Sequence, residues 1–297
     1  MQVRAPYQVA LVQVTMSNDP QVNLDVACTK IREAAARGAK IVCLPELFRS
    51  PYFCQKEDTA YFDLAETIPG PSTEALGWEA RRSAVVVVAS IFERRAAGVF
   101  HNTSVVIGTD GSVLGMYRKM HIPDDPSYYE KFYFTPGDLG FRVFPTEFGN
   151  LGVLVCWDQW FPEAARLVAL RGADVIFYPT AIGWRPEEKA EQGGAQRDAW
   201  RTVQRGHAIA NGVYVAAVNR VGLETPAGPP GLEFWGTSFF CDPQGLMLAE
   251  ASTDRSEILY GTVDPARIED VRRNWPFLRD RRIDSYAGLD RRFLDRD

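Results

Sequence analysis

Histidine is scarce in this sequence: His101, His121 and His207 are the only three in 297 residues. None lies near a pair of cysteines, so nothing has the ligand spacing of a zinc site and no metal is expected. Cysteine is sparse as well. Cys28, Cys43, Cys54, Cys156 and Cys241 are odd in number and widely scattered. That fits free thiols in a reducing compartment rather than a disulfide framework. No run of five or more basic residues occurs, and 38 acidic against 33 basic side chains leave a formal net charge of −5. The basic footprint of a nucleic-acid binder is therefore missing. No stretch reaches the ~20 apolar residues that a membrane helix needs. The short apolar run in MQVRAPYQVALVQV has no basic leader and no cleavage site after a long apolar core, so it reads as a strand and not as a signal peptide. These absences predict a cytoplasmic protein with neither membrane nor nucleic acid as partner.

What is present looks globular. Hydrophobic residues make up 46% and charged residues 24%, in a chain long enough to bury a sizeable core. Residues 7–14 read as a buried strand, 23–36 as a helix with Leu24, Val26 and Ile31 on its apolar face, and 41–44 as the next strand. That is a β-α-β unit, which implies parallel neighbours. A helix over 74–83 and a strand over 85–90 follow. Residues 101–107 and 113–119 form a hairpin around Asp110-Gly111. Further strands are expected at 151–156, 175–178 and 213–219, with helices over 162–171 and from about 196 to 211, and a late hairpin from 234–241 and 246–249. The run RGAKIVCLPE at 37–46 echoes RGADVIFYPT at 171–180. The echo suggests two similar halves facing each other. No linker interrupts the chain, so residues 1–297 read as one α/β domain, with a polar, irregular arm from about Asp264.

Three positions stand out. Glu46 follows the apolar run IVCLP, just past a strand's C-terminal edge, where open α/β sheets bind ligands. Lys119 sits among Met116, Tyr117 and Ile122, odd company for a solvated lysine. Cys156 ends a strand shortly before a helix, a turn that presents a side chain next to free backbone N–H groups. With a lysine nearby, such a place favours thiolate. Taken singly, each has a plainer reading: a surface carboxylate, a solvated lysine, a structural thiol like those of Cys43 and Cys241. Taken together, they are a nucleophile, a proton carrier and an oxyanion stabiliser. Glu46 and Glu130 as the carboxylate pair of a glycosidase would leave Lys119 and Cys156 without work. A catalytically silent binding protein would leave all of them idle.

The motifs LPE around Glu46, YRKMHIP around Lys119 and CWD around Cys156 occur complete and in order. On these the sequence resembles the nitrilase, or carbon–nitrogen hydrolase, superfamily from Val9 to about Val263. The resemblance implies a four-layer α-β-β-α sandwich, an α/β fold of the nitrilase type. It implies Glu46, Lys119 and Cys156 as catalytic residues, with Glu130, in YYEKFYFTPGD, as a second glutamate that orients the lysine. It also implies the backbone N–H of Trp157 as an oxyanion donor. No cofactor is expected. The partners implied are a small-molecule substrate and a second copy of the chain, as a homodimer or higher oligomer with exchanged C-terminal arms. The runs HIPDDPSYYEKFYFTPGD, CWDQWFPEAAR and QRGHAIAN, with VNRVG after the last, are most similar to the branch that hydrolyses N-carbamoylputrescine to putrescine, ammonia and carbon dioxide. Another carbamoyl amine, a carbamoyl amino acid or an aliphatic amide is the alternative. The stretch WRPEEKAEQGGAQ after Gly183 departs from that branch, so the substrate tail is the less specified part. Tyr52, Asp124, Tyr128, Trp184 and Glu187 are expected to line its pocket, with Phe53, Asp125 and Glu188 close by and Arg185 as the nearby cation.

Overall fold

The computed structural model describes residues 4–295; the first three and last two residues of the expected single domain lie outside it. Two six-stranded mixed sheets dominate. The first runs, edge to edge, Glu257–Val263, Tyr7–Gln13, Ile41–Cys43, Val86–Ala96, Val99–Ile107, Val113–Arg118. The second runs Met247–Glu250, Phe239–Cys241, Tyr214–Val218, Val175–Pro179, Asn150–Val153, Val143–Pro145. Tyr7–Gln13 lies parallel to Ile41–Cys43, and Val175–Pro179 lies parallel to both of its neighbours.

Period-two alternation sorts the side chains of the first sheet into two cores. Ala10, Val12, Val42, Leu44, Val87 and Ala89 pack against Leu24, Ile31, Leu76 and Ala80 of the helices Pro20–Ala36 and Pro71–Ser83. The intervening Val9, Leu11, Ile41, Cys43, Val86 and Val88 join a second core with Val153, Phe177, Val215 and Ala217 of the other sheet. That core continues to Ala164, Val168, Trp200 and Ala208 on the helices Pro162–Leu170 and Lys189–Asn211. The order helix, sheet, sheet, helix is the expected four-layer sandwich. Strands such as Ile41–Cys43 are buried on both faces, which is why they read as continuous apolar runs.

Several expectations need correction: the second helix starts at Pro71 rather than 74, and the strand expected over 151–156 ends at Val153, so Cys156 lies beyond it. The first helix starts at Pro20, because Asp19 caps it by accepting from Gln21 N at 2.8 Å and proline suits the first turn. The long helix starts at Lys189, seven residues before the expected Gln196, and ends at Gly212 in the left-handed conformation. Residues 234–241 are not one strand. Gly236 and Thr237 both take positive φ, and a Cβ on Gly236 would meet Ser252 O at 2.6 Å. The chain therefore breaks there: Leu232–Trp235 joins a small third sheet with Val221–Glu224 and Gly183–Trp184, while Phe239–Cys241 joins the second large sheet. The arm from Asp264 is not irregular at its start. Asp264 caps a helix, Pro265–Asn274, whose Ile268 and Val271 are buried. Beyond it Trp275, Ile283, Leu289 and Phe293 are exposed. Among the described residues no helix is long and apolar enough to cross a membrane.

Candidate active site

The two echoed segments meet. Pro45 ends the ladder after Ile41–Cys43, and Glu46 N then reaches Thr180 O, at the matching position of the second half, at 3.4 Å. Leu47 follows at φ +47°, in the left-handed region that favours glycine. Two groups hold it there: Ser90 Oγ accepts from Leu47 N at 3.1 Å, and Arg220 Nη2 donates to Leu47 O at 3.1 Å and to Glu46 O at 2.5 Å. Arg220 is fully buried, and its Nη1 donates to both oxygens of Glu224 and to Ser50 O. The Glu46 carboxylate is thus aimed by a clamped backbone.

Lys119 stands at the end of Val113–Arg118, pinned by Lys119 N to Asn102 O at 2.9 Å and by Gly137 N to Lys119 O at 2.8 Å. Its Nζ donates to Glu46 Oε1 at 2.8 Å and Glu130 Oε2 at 2.7 Å, with all three side chains buried. Asn102 Nδ2 also donates to Glu46 Oε1, at 2.7 Å. Glu46 Oε2 is buried with no protein partner. Glu130 Oε1 is taken by the Tyr52 hydroxyl at 2.6 Å.

Cys156 has φ +42° and opens a short 3-10 turn, Cys156–Trp160. Its Sγ lies 3.8 Å from Ala181 O. A non-glycine residue in that conformation stores strain, of order 1–3 kcal/mol. Cys156 faces a cavity of about 440 Å³, with Trp157, Trp160, Tyr128 and Trp235 among its walls.

Charge here is two carboxylates against one ammonium. Burial alone would push the Lys119 ammonium down, but Glu130 first and Glu46 second lift it well above its usual range, so it stays protonated. Burial raises Glu130 to about 7, against the opposing pull of Lys119. Burial, then Glu46, pushes the Cys156 thiol well up, and Lys119 only partly offsets them. The expected thiolate-favouring environment is therefore corrected. The turn at Cys156 is a single 3-10 turn, the α-helix begins only at Pro162, and burial with two nearby carboxylates favours the neutral thiol. Cys28, half-buried, is the most accessible of the five thiols, and the other four are buried.

The outer residues divide. Tyr128 lines the cavity, its hydroxyl donating to Gly183 O and accepting from Gly183 N, each at 3.0 Å. Tyr52 lies behind the cavity, fully buried, with its hydroxyl engaged by Glu130. Trp184 also stands behind, packed on the lining Trp235 with ring centroids 5.1 Å apart. Asp124 and Glu187 point to solvent, and their neighbours Asp125 and Glu188 line the cavity instead. A one-residue offset in a loop changes the facing side chain, and loops carry no period from which to read it. Arg185 lines the cavity paired with Glu188. Sequence reasoning missed Arg220 and Asp158, although both sit in quoted runs, VNRVG and CWD; nothing in the sequence marked Asn102. Among the described residues no group of three or more His, Cys, Asp or Glu is arranged to hold a metal ion.

Residues 8–273 match the carbon–nitrogen hydrolase family model. The chain is 44% identical to the N-carbamoylputrescine amidase of Arabidopsis thaliana over 95% of its length and 94% of that protein. It is 41% identical to the citrullinase of Francisella tularensis over 97% of its length and all of that protein. The crystal structure of a carbon–nitrogen hydrolase from Helicobacter pylori G27 superposes with a TM-score of 0.94, at 46% identity, covering 97% of this chain and all of that one.

Proposed function

The chain belongs to the carbon–nitrogen hydrolase family, and from that premise we propose that it hydrolyses the ureido group of N-carbamoylputrescine with Cys156 as nucleophile. It is an amidohydrolase that acts on non-peptide C–N bonds of small molecules. The observation that carries the assignment of residues is the Lys119 ammonium held between Glu46 and Glu130 at 2.8 and 2.7 Å, in the field of the Cys156 thiol.

The raised thiol dictates the first step. A neutral thiol is a poor nucleophile, so a base must take its proton as the C–S bond forms. Glu46, with one oxygen free of protein partners, is that base. The oxyanion is stabilised by the Lys119 ammonium, held in advance by Glu46 and Glu130, and by the Trp157 N–H. Glu46 then passes the proton to the leaving nitrogen, and the carbonyl carbon stays on Cys156 as a thioester. Water, deprotonated by Glu46, attacks that carbon, and the Cys156 thiolate leaves and takes the proton back; the product released is a carbamic acid, which loses carbon dioxide to free its remaining nitrogen. The sum is ureido amine plus water giving amine, ammonia and carbon dioxide. Glu130 keeps the ammonium charged and in place.

The walls favour a cationic tail. Arg185 is paired with Glu188, whereas Asp125 makes no ion pair among the described residues, and Trp157, Trp160 and Tyr128 line the same cavity. A second reading is citrulline, a ureido amino acid, supported by the citrullinase relative and by Arg185 as a carboxylate contact if Glu188 yields it. An ammonia-release assay over carbamoyl amines, citrulline, carbamoyl amino acids, simple amides and nitriles tests both. Release from N-carbamoylputrescine alone supports the first reading, and preference for citrulline supports the second.

The core shared by both sheets supports one domain with an arm from about Asp264. The exposed apolar side chains of that arm support a homodimer or larger assembly.

A further inference from the structure

Asp158 is fully buried, lies two residues after Cys156, and does not line the cavity. Its carboxylate collects four donors. Oδ2 accepts from the Tyr117 hydroxyl at 2.8 Å and from Val155 N at 2.9 Å. Oδ1 accepts from His121 N at 3.1 Å and His121 Nδ1–H at 2.7 Å. Val155 immediately precedes the nucleophile; Tyr117 and His121 stand two residues either side of Lys119. The main chain closes a second link, Asp158 N donating to Val155 O at 3.0 Å. The His121 ring lies flat on Phe161 with centroids 3.7 Å apart, which fixes its orientation. A buried carboxylate with every contact directed to one of two segments is a strut between them.

We propose that Asp158 is a positioning residue that holds the Cys156 turn against the Lys119 strand end, and so sets the spacing between the attacking sulfur and the ammonium that meets the oxyanion. The reason for such a strut is the backbone of Cys156. A residue at φ +42° relaxes unless its surroundings over-determine it. The Val155–Asp158 bonds do this on one side, and Tyr117 and His121 tie the same carboxylate to the lysine. The two reacting groups come from different sheets, so no ladder hydrogen bond fixes their separation, and small misplacements of reacting groups cost large factors in rate. Because Asp158 touches no substrate, its loss acts on turnover and not on binding. The inference rests on the assignment of Cys156 and Lys119, not on the identity of the substrate.

The test is a double-mutant cycle of Tyr117→Phe and Asp158→Asn, read in three ways: kcat and KM for ammonia release from N-carbamoylputrescine, the rate of Cys156 alkylation by iodoacetamide located by peptide mapping, and Tm. Tyr117→Phe removes one hydroxyl from a retained ring and is expected to lower kcat about tenfold, the loss of one hydrogen bond to a charged group, with KM changed by less than about twofold. Asp158→Asn is expected to lower kcat further, and the double variant to match Asp158→Asn alone, because both cut the same strut. Alkylation of Cys156 should slow in parallel. A fall in Tm with unchanged kcat well below Tm overturns the proposal, as do additive effects or KM rising in step with the loss of kcat. If Asp158→Asn fails to fold, Tyr117→Phe decides alone. If the unaltered enzyme releases no ammonia from N-carbamoylputrescine, the substrate reading falls, and the alkylation rates still decide the strut.

Discussion

Replacing Tyr52 by phenylalanine isolates one bond of the site. The Tyr52 ring is fully buried against Tyr128 and Phe234, and the substitution keeps it. What goes is a 2.6 Å hydrogen bond to Glu130 Oε1, short as charge-assisted bonds are. Such a bond contributes about 1.5–3 kcal/mol, and its loss leaves a buried oxygen unpaired, so unfolding free energy should drop by that amount. The same bond helps aim Glu130 at Lys119. If half of its worth is expressed in the transition state, kcat falls by about three- to tenfold, at roughly 1.4 kcal/mol per factor of ten. The pH profile gives the sharper reading. Burial raises Glu130 to about 7, while the Tyr52 hydroxyl lowers it, so Tyr52→Phe moves it higher still. Protonated Glu130 accepts poorly from Lys119, and the ammonium then leans on Glu46 and blunts it as a base. The acid limb of kcat/KM should therefore move to higher pH in the variant. For stability the sign is opposite. Glu130 binds its proton more tightly folded than unfolded, so its contribution is present at acid pH and is lost as pH rises through about 7. Paired profiles between pH 5 and 9, with urea unfolding, test this. An unshifted limb with kcat within twofold of the parent would refute the reasoning.

Cys156→Ala should abolish ammonia release while leaving Tm nearly unchanged, since no other group replaces a covalent nucleophile; measurable turnover with the variant would reject the mechanism. Arg220→Lys should destabilise by about 3 kcal/mol, because a single ammonium cannot serve Glu224 and the carbonyls of Ser50, Glu46 and Leu47 together. Urea denaturation showing a loss below about 1 kcal/mol would mean the clamp matters little. Asp125→Asn should lower kcat/KM for N-carbamoylputrescine about two- to fivefold and leave N-carbamoyl-β-alanine little changed, the effect expected from losing one exposed ion pair with the substrate. An equal fall for both substrates would remove Asp125 from recognition of the tail.

The layers were legible because period is. Val9 and Leu11 against Ala10 and Val12, or Ile41 and Cys43 against Val42 and Leu44, alternate between two cores, and buried strands show as apolar runs. The break at Gly236-Thr237 was hidden, because FWGTSFF reads as one strand until the backbone's positive φ is known. The placement of Glu46, Lys119, Glu130 and Cys156 at element ends was readable from Pro45, from the apolar company of Lys119 and from the motifs. Their electrostatics were not. The expectation that a lysine lowers the thiol counted one charge, whereas two carboxylates and full burial act on the same sulfur. The cavity wall was legible to within a residue, at Asp125 for Asp124 and Glu188 for Glu187, because facing in a loop is decided by local turns such as the bridge between Asp125 and Tyr128.

The echo at 37–46 and 171–180 explains why the site needs so many cross-ties. Each copy is a strand that runs out of ladder at a proline and then turns, and the two ends meet where Glu46 N reaches Thr180 O. A cleft between two sheet ends gives access to substrate, but it also brings Glu46 and Lys119 from one half to face Cys156 from the other with no ladder between them. Packing of the shared core sets that distance only coarsely. Finer control falls to buried polar bridges that span the halves: Arg220 from beyond the second sheet to the carbonyls of Glu46 and Leu47, Glu224 to Tyr52 N at 2.6 Å, and Asp158 to Tyr117 and His121. Each is costly to bury and more costly to leave half-paired. Their concentration around one cavity, on residues whose backbones at Leu47 and Cys156 are strained, is what a site that must fix a sulfur, a carboxylate and an ammonium in one geometry requires.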